Sequence, residues 1–285
     1  MINLCTVSDN NYLLKGLTLY ESLKKHSKDF ILHYLCIDEE SYTSLKSFEC
    51  ASLKVYSVDS LIQKDPLLLN LKNSEYKYFC WSLASYFSNY LLLKGNSITY
   101  IDSDIYFHDN IEVILNEIGS RDVGIFRHRQ FPLSTYRPEG LYNVGVVHFK
   151  NTQLGISVSN WWTDAVLNKK YPQLATCGDQ KYLDNFPNLC PKDSIYLDEN
   201  IGHGAPWLWQ LYEFISPTKI IWENQEQNLI FTHFSQFQFN GDSYIPSLMH
   251  HIYTPLDEYK NNINLKIIYD EYFTNLKLTQ SLYKL

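Results

Sequence analysis

The chain has 285 residues, 45% of them apolar and 19% charged, with 24 basic side chains against 31 acidic ones and a net charge of −7. Such a composition describes an ordered globular protein long enough to bury a full core. It excludes nucleic-acid binding through a basic stripe, because the sequence has no such stripe to neutralise phosphates.

Short apolar runs recur from the start. INLCTV (2–7), ILHYLCI (31–37), LKVYSV (53–58) and ITYID (98–102) read as strands buried on both faces. Between the first two, NYLLKGLTLYESLKKH carries Leu13, Leu17, Leu19, Tyr20 and Leu23 as a helical stripe with a basic end. Between the third and fourth, the stretch 74–95 is apolar on most sides, begins at a serine and stops at Gly95, which predicts a buried helix with a glycine cap. Strand–helix–strand alternation of this kind predicts an α/β fold with a mostly parallel, doubly wound central sheet flanked by helices. The second half is less regular. DVGIF (122–126), GVVHFK (145–150), SIYL (194–197), KIIW (219–222) and LIFTHF (229–234) are expected strands, while 156–171 and 179–186 are expected helices. From about Leu256 onward helical spacing and mixed charge predict a tail packed outside the main sheet. With no internal repeat and no linker, residues 1–285 read as one domain. A first half (about 1–110), a decorated second half (about 111–255) and the tail (about 256–285) make it up.

Six cysteines (5, 36, 50, 80, 177 and 190) include no CxxC pair, which reads as reduced thiols in a cytoplasmic protein. The start MINLCTVSDN lacks the basic residues and apolar run of a signal peptide. No stretch approaches the roughly 20 apolar residues of a membrane span. Any membrane contact is therefore expected to be peripheral.

The segment SITYIDSDIYFHDNI (97–111) ends a buried strand on two carboxylates, Asp102 and Asp104, with Ser103 between them. Residues two apart on an extended strand share a face, so both can converge on one hard divalent cation, Mg²⁺ or Mn²⁺. Open α/β sheets bind ligands at the carboxyl ends of their strands, where this pair sits. The alternative is a solvated turn, or a cap for the following NIEVILNEI.

An ordered series of segments surrounds that pair: CTVSDNNYLLKGLTLYESL at the start, YFCWSL, ITYIDSDIYF, YNVGVVHFKN (142–151), GDQKYLDNFP (178–187), GHGAPW (202–207) and FTHFSQF (231–237). In this order they resemble the nucleotide-sugar glycosyltransferases of the GT-A fold, especially a bacterial group allied to glycosyltransferase family eight, from Cys5 to about Phe237. The resemblance implies a Rossmann-like sheet, a metal-binding DxD at Asp102 and Asp104, and His233 as the histidine that completes the metal site. His203 is its rival, or a phosphate or acceptor contact. The Gly and Lys-Pro-Trp that usually follow such a histidine are absent here.

The resemblance also implies a nucleotide base, most simply uracil, beside Thr6, Asp9, Asn11 and Tyr12. Helix capping by Ser8, Asp9 or Asn10 is the plain alternative. Asn143 and Gly145 are expected to face the donor sugar, and Asp179 and Gln180 to serve the chemical step, although Asp179 could equally be a helix N-cap. Of the tryptophans, Trp207 is the candidate for the site, while Trp161, Trp162 and Trp209 read as packing. The implied activity moves a sugar from a nucleoside diphosphate to a hydroxyl of a glycan or glycolipid, with retention. The abundance of Tyr, Asn, Lys and Ile suggests an AT-rich bacterial genome, hence lipopolysaccharide or capsule assembly. Two rivals belong to other classes: a non-catalytic carbohydrate- or nucleotide-binding protein with a structural ion, and a sugar-phosphate nucleotidyltransferase. The latter's Gly-rich basic loop is missing from VSDNNYLLKG.

Overall fold

Buried apolar runs alternating with capped helices build the first half of the chain. A computed structural model describes residues 1–129, 139–198, 200–247 and 261–285. Its first elements are β1 (Ile2–Ser8), α1 (Leu13–His26), β2 (Phe30–Cys36), α2 (Glu39–Lys46) and β3 (Leu53–Ser57). Then come α3 (Asp59–Ile62), α4 (Pro66–Ser74), α5 (Tyr76–Leu92) and β4 (Ile98–Ile101). Two of these starts are set by acidic caps: Asp38 accepts from Ser41 N–H before α2, and Asp65 from Leu67 N–H before α4. Pro66 suits the first turn of α4, where a missing N–H costs nothing. The expected helix at 74–95 is therefore corrected. Ser74 closes α4 instead of opening the buried helix, and α5 starts at Tyr76 without a side-chain cap. Gly95 follows its end at φ +101°, as the glycine stop requires.

The second half supplies β5 (Ile105–Phe107), α6 (Glu112–Ile118), β6 (Val123–Arg127), β7 (Tyr142–Phe149), α7 (Gln153–Leu167) and β8 (Ile195–Tyr196). Short strands follow: β9 (Gly202–Gly204), β10 (Glu213–Ser216), β11 (Lys219–Trp222), β12 (Gln225–His233), β13 (Gln238–Asn240) and β14 (Ser243–Ile245). α7 begins three residues before the expected start, because Thr152 caps it by accepting from Gly155 N–H. The expected helix at 179–186 is present as a 3₁₀ helix over Gln180–Asn185.

Seven strands form the main sheet in the order β3–β2–β1–β4–β7–β6–β8. Only β7 runs against the others, so the sheet is mostly parallel, with helices packed on it. The sequence pattern gave no sign of a second sheet, in the order β10–β11–β12–β5 with β9 beside β12. β4 belongs to the first sheet and β5 to the second, so the chain crosses between them through Asp102-Ser103-Asp104.

The C-terminal helix (Ile263–Tyr283) packs outside the main sheet, as expected, but it is no loose appendage. Leu265, Ile268, Tyr269, Tyr272 and Leu276 are buried in a core shared with Phe234 and Phe237, and the rings of Phe234 and Tyr272 stack at 3.7 Å. Residues 256–260 of the expected tail lie outside the described residues. Among the described residues no helix is long and apolar enough to cross a membrane.

Candidate functional site

Asp102 and Asp104 do not lie on an extended strand; they occupy a turn closed by Ile105 N–H donating to the Asp102 carbonyl at 3.1 Å. The carboxylates still converge, for a different reason than strand alternation. Asp102 is held to the main sheet by its N–H on the Gly145 carbonyl, and Asp104 to the second sheet by its carbonyl, which accepts from Phe234 N–H at 2.8 Å. Antiparallel pairing of β5 with β12 sets Ile105 opposite His233. That register delivers the imidazole to the turn: His233 Nε2 is 3.0 Å from Asp104 Oδ1 and 3.7 Å from Asp102 Oδ2. One potential ligand atom from each of the three residues lies within 4.8 Å of the others. Two carboxylates and an imidazole are a donor set suited to Mn²⁺ or Mg²⁺.

Charge shapes this cluster. Burial pushes the Asp102 carboxyl up, against the pull of His233. Burial acts the same way on Asp104, yet His233 beside it holds that carboxyl below its usual range. Burial should make His233 less basic, but the two carboxylates outweigh it and raise its pKa above 6.5. Tyr100 donates its hydroxyl to Asp102 Oδ1 at 2.7 Å and leaves Oδ2 to face His233.

Behind the imidazole runs a chain of amides. Gln180 Nε2 donates to the Glu139 carbonyl at 2.8 Å, which turns its Oε1 toward Asn143 Nδ2 at 2.9 Å. Asn143 Oδ1 then accepts from Gly145 N–H at 2.8 Å and faces His233 Nδ1 at 3.3 Å. With the amide orientations set this way, Nδ1 donates to Asn143 Oδ1 and Nε2 is turned toward the two carboxylates, where it can hold a proton or, in its place, a cation. The resemblance gave Asn143 and Gly145 to the donor sugar and Gln180 to the chemical step. In the structure the two amides hold each other and the histidine. Gly145 is needed for room, since a Cβ there would sit 2.6 Å from Asn143 Oδ1 and 2.9 Å from His233 Nδ1.

The cluster forms one wall of a cavity of about 600 Å³ at the carboxyl ends of β1 and β4. Ser8, Asp9, Tyr12 and Ile37 line one end; Cys80, Trp81 and Ala84 of α5 line another side, with Ser103, Asn143, Asp179, Gln180 and Trp207 around the centre. Asp9 caps the short turn after β1, its carboxylate accepting from Tyr12 N–H and Asn11 Nδ2. Asn11 itself is exposed and does not line the cavity, and Thr6 is buried within β1 away from it. Trp207 packs edge-on to His233, ring centroids 5.4 Å apart, with its Nε1 buried and unpartnered.

Asp179 settles one alternative by its geometry: its side chain makes no cap hydrogen bond to the 3₁₀ helix it precedes. It is 5% exposed, Oδ2 has no partner, and burial reinforced by the Asp102 carboxylate lifts its pKa well above the carboxylate range.

His203 lies outside the candidate metal cluster of Asp102, Asp104 and His233. Its Nε2 pairs with Asp198 Oδ2 at 3.0 Å, and Asp198 Oδ1 receives Arg129 Nη2 at 2.7 Å, all three side chains buried. Sequence reading missed this arginine and also Lys15, which is nine-tenths buried with its ammonium 4.3 Å from the centre of the Tyr12 ring. A basic residue inside an apolar helical stripe was the available signal.

No protein-family model matches the chain. Over 253 residues it is 29% identical to "Uncharacterized protein YfnF" of Bacillus subtilis (strain 168), covering 82% of this chain and 81% of the relative. To YfnD of the same bacterium it is 25% identical over 283 residues, covering 95% and 88%. Among solved structures, the galactosyltransferase LgtC in complex with donor and acceptor sugar analogues aligns with a TM-score of 0.55 at 11% identity, over 91% of this chain and 94% of that one. Apo mouse xyloside xylosyltransferase 1 aligns with a TM-score of 0.51 at 17% identity, over 81% and 97%. The mixed α/β architecture is thus similar to that of GT-A glycosyltransferases.

Proposed function

We propose that the protein is a metal-dependent glycosyltransferase that takes a sugar from a nucleoside diphosphate, with UDP the expected carrier, and passes it to a glycan or glycolipid hydroxyl. The observation that carries this reading is the Asp102–Asp104–His233 cluster opening into a cavity of nucleotide-sugar size at the strand ends. A divalent ion held there supplies Lewis-acid neutralisation of the charge that builds on a departing diphosphate.

This chain's own residues would do the rest. Tyr100 fixes the rotamer of Asp102, and the Gln180–Asn143 chain fixes the tautomer of His233. Ser8, Asp9 and Tyr12 would receive the base, the cap on Asp9 leaving carboxylate lone pairs free for a uracil N–H and the Tyr12 ring free to stack. Asp179, whose burial beside Asp102 favours the neutral carboxyl, would serve the chemical step beside the donor sugar. Retention follows the family-eight likeness, with the leaving phosphate accepting the proton of the incoming hydroxyl on the same face. A role in lipopolysaccharide or capsule assembly at the inner face of a bacterial membrane is the matching pathway.

The test is a thermal-shift panel of nucleoside diphosphates and nucleotide sugars with and without Mn²⁺, since ligands that bind the native state raise its melting temperature. UDP and Mn²⁺ together should raise it more than either alone, and Asp9→Ala should erode the preference for UDP over GDP. Equal shifts with and without the metal would remove the metal-dependent reading.

A further inference from the structure

The cavity poses a problem of charge. Asp9, Asp102, Asp104, Glu139 and Asp179 line it, and among the described residues no lysine or arginine does. A nucleoside diphosphate would bring two or three further negative charges into this acidic space, and a single divalent ion would offset only the carboxylates of the turn.

Lys15 is the cation that stands next to this wall. It occupies the first turn of α1, whose positive dipole end disfavours a cation, and it is nine-tenths buried, where an ammonium is costly. Among the described residues no carboxylate lies within ion-pair distance of its ammonium and no hydrogen bond of it is found. Its closest partner is the ring of Tyr12, which itself lines the cavity. Lys15 and Asp104 each feel the other's charge, and Lys15 opposes protonation of His233. Folding alone gives no reason for this placement, since a leucine or methionine would fill the same space without cost.

We infer that Lys15 is a donor-binding residue whose ammonium receives the diphosphate of the nucleotide sugar, the Tyr12 ring holding it in place until the ligand arrives. The inference rests on the proposed function. With His233 deprotonated by a bound divalent ion, the four groups sum to +1 (two carboxylates, one divalent cation, one ammonium), which complements the anion. Without Lys15 they sum to zero.

Lys15→Met, which keeps the apolar stem and removes the charge, is the test, with Mn²⁺ alone and UDP in saturating Mn²⁺ as probes in calorimetric titrations. The expected result has two opposite signs. UDP affinity falls about 10–100-fold, the range for losing a charge-assisted contact, while affinity for Mn²⁺ alone is unchanged or tighter because a repelling cation is gone. Lys15→Arg should keep UDP affinity within about threefold. UDP affinity unchanged in Lys15→Met overturns the inference, as does an equal loss for both probes, which marks a structural lysine. If Lys15→Met does not fold, Lys15→Gln answers the same question. Wild-type protein that binds Mn²⁺ but neither UDP nor GDP defeats the donor reading itself, a result distinct from the other two.

Discussion

Two histidine–aspartate pairs lie on neighbouring strands of this protein at the same separation. His203 of β9 is 3.0 Å from Asp198, and His233 of β12 is 3.0 Å from Asp104; β9 and β12 pair side by side. Their surroundings decide their fates. The first pair is joined by Arg129, which also donates toward the Ile201 carbonyl, the Tyr212 hydroxyl and Gln227, and lies 3.6 Å from the centre of the Trp222 ring. A guanidinium keeps its charge at any relevant pH, so Asp198 is neutralised for good and burial leaves His203 less basic than usual. The second pair has a second aspartate where the first has an arginine. Its positive charge is a proton on His233, and a proton can be exchanged for a metal ion. The same two residue types therefore make a closed structural cluster in one place and an open candidate cation site in the other.

The largest effect comes from breaking the open cluster. Asp102→Asn and Asp104→Asn should each abolish Mn²⁺-dependent UDP binding and transfer. Asp102→Asn should leave the melting temperature no lower, because burial and Asp104 disfavour its charge, whereas Asp104→Asn should lower it modestly, because His233 stabilises that carboxylate. Unaltered Mn²⁺-dependent affinity in both variants would take away the metal site.

Breaking the closed cluster should do the reverse. Arg129→Met leaves Asp198 buried without its cation, a loss of about 3–5 kcal/mol of stability. Denaturant titration should show it as a lower midpoint. Any protein that remains folded should still bind Mn²⁺, since Arg129 is not one of the clustered donors Asp102, Asp104 and His233. A wild-type midpoint would mean that the arginine contributes nothing to the fold.

Smaller, and a sharper probe of how the open cluster is built, is Asn143→Ala. The amide keeps Nδ1 of His233 a donor and so turns Nε2 toward the carboxylates, and removing such a support typically weakens metal binding by about 10–100-fold. Gly145→Ala should act in the same direction by crowding the imidazole. Mn²⁺ titration followed by electron paramagnetic resonance measures both, and wild-type affinity in Asn143→Ala would show that the amide chain does not orient the ligand.

The comparison also explains what the sequence could reveal. The parallel sheet was readable because its strands, buried on both faces, are nearly continuous apolar runs, as in ILHYLCI and ITYID. The carboxylate pair was readable because it ends such a run. The preference for His233 over His203 was readable from the apolar strand LIFT that His233 ends, but the reason His203 is engaged elsewhere was not. That engagement depends on Arg129, some 70 residues before His203, and the delivery of His233 on the register of β5 against β12. A second sheet assembled from strands of three to nine residues gives little periodicity to detect. Asn143 and Gln180 were singled out, but their partnership with His233 is a property of three distant segments meeting. Lys15 was hidden inside a helical stripe whose pattern says only that the face is buried.

A third buried carboxylate completes the series. Asp179 has neither the arginine of Asp198 nor the imidazole of Asp104, and its Oδ2 has no hydrogen-bond partner. Burial, with the Asp102 charge nearby, raises its pKa well above the ordinary 3.8, so it holds a proton that the unfolded chain releases. The sign of the stability effect follows. Below pH 3.8 both states are protonated and Asp179 costs nothing; as pH rises the unfolded state ionises and gains, so the native state loses stability up to the folded pKa. Asp179→Asn removes the ionisation and should melt a few degrees above wild type at pH 7, the gain vanishing near pH 3. A helix cap would have made the substitution neutral, because asparagine and aspartate cap about equally. If the carboxyl also serves transfer, the same variant should lose turnover while keeping UDP affinity, since the interaction is made in the transition state. A variant that melts higher, binds UDP normally and turns over at the wild-type rate would leave Asp179 as a buried acid with no part in the chemistry.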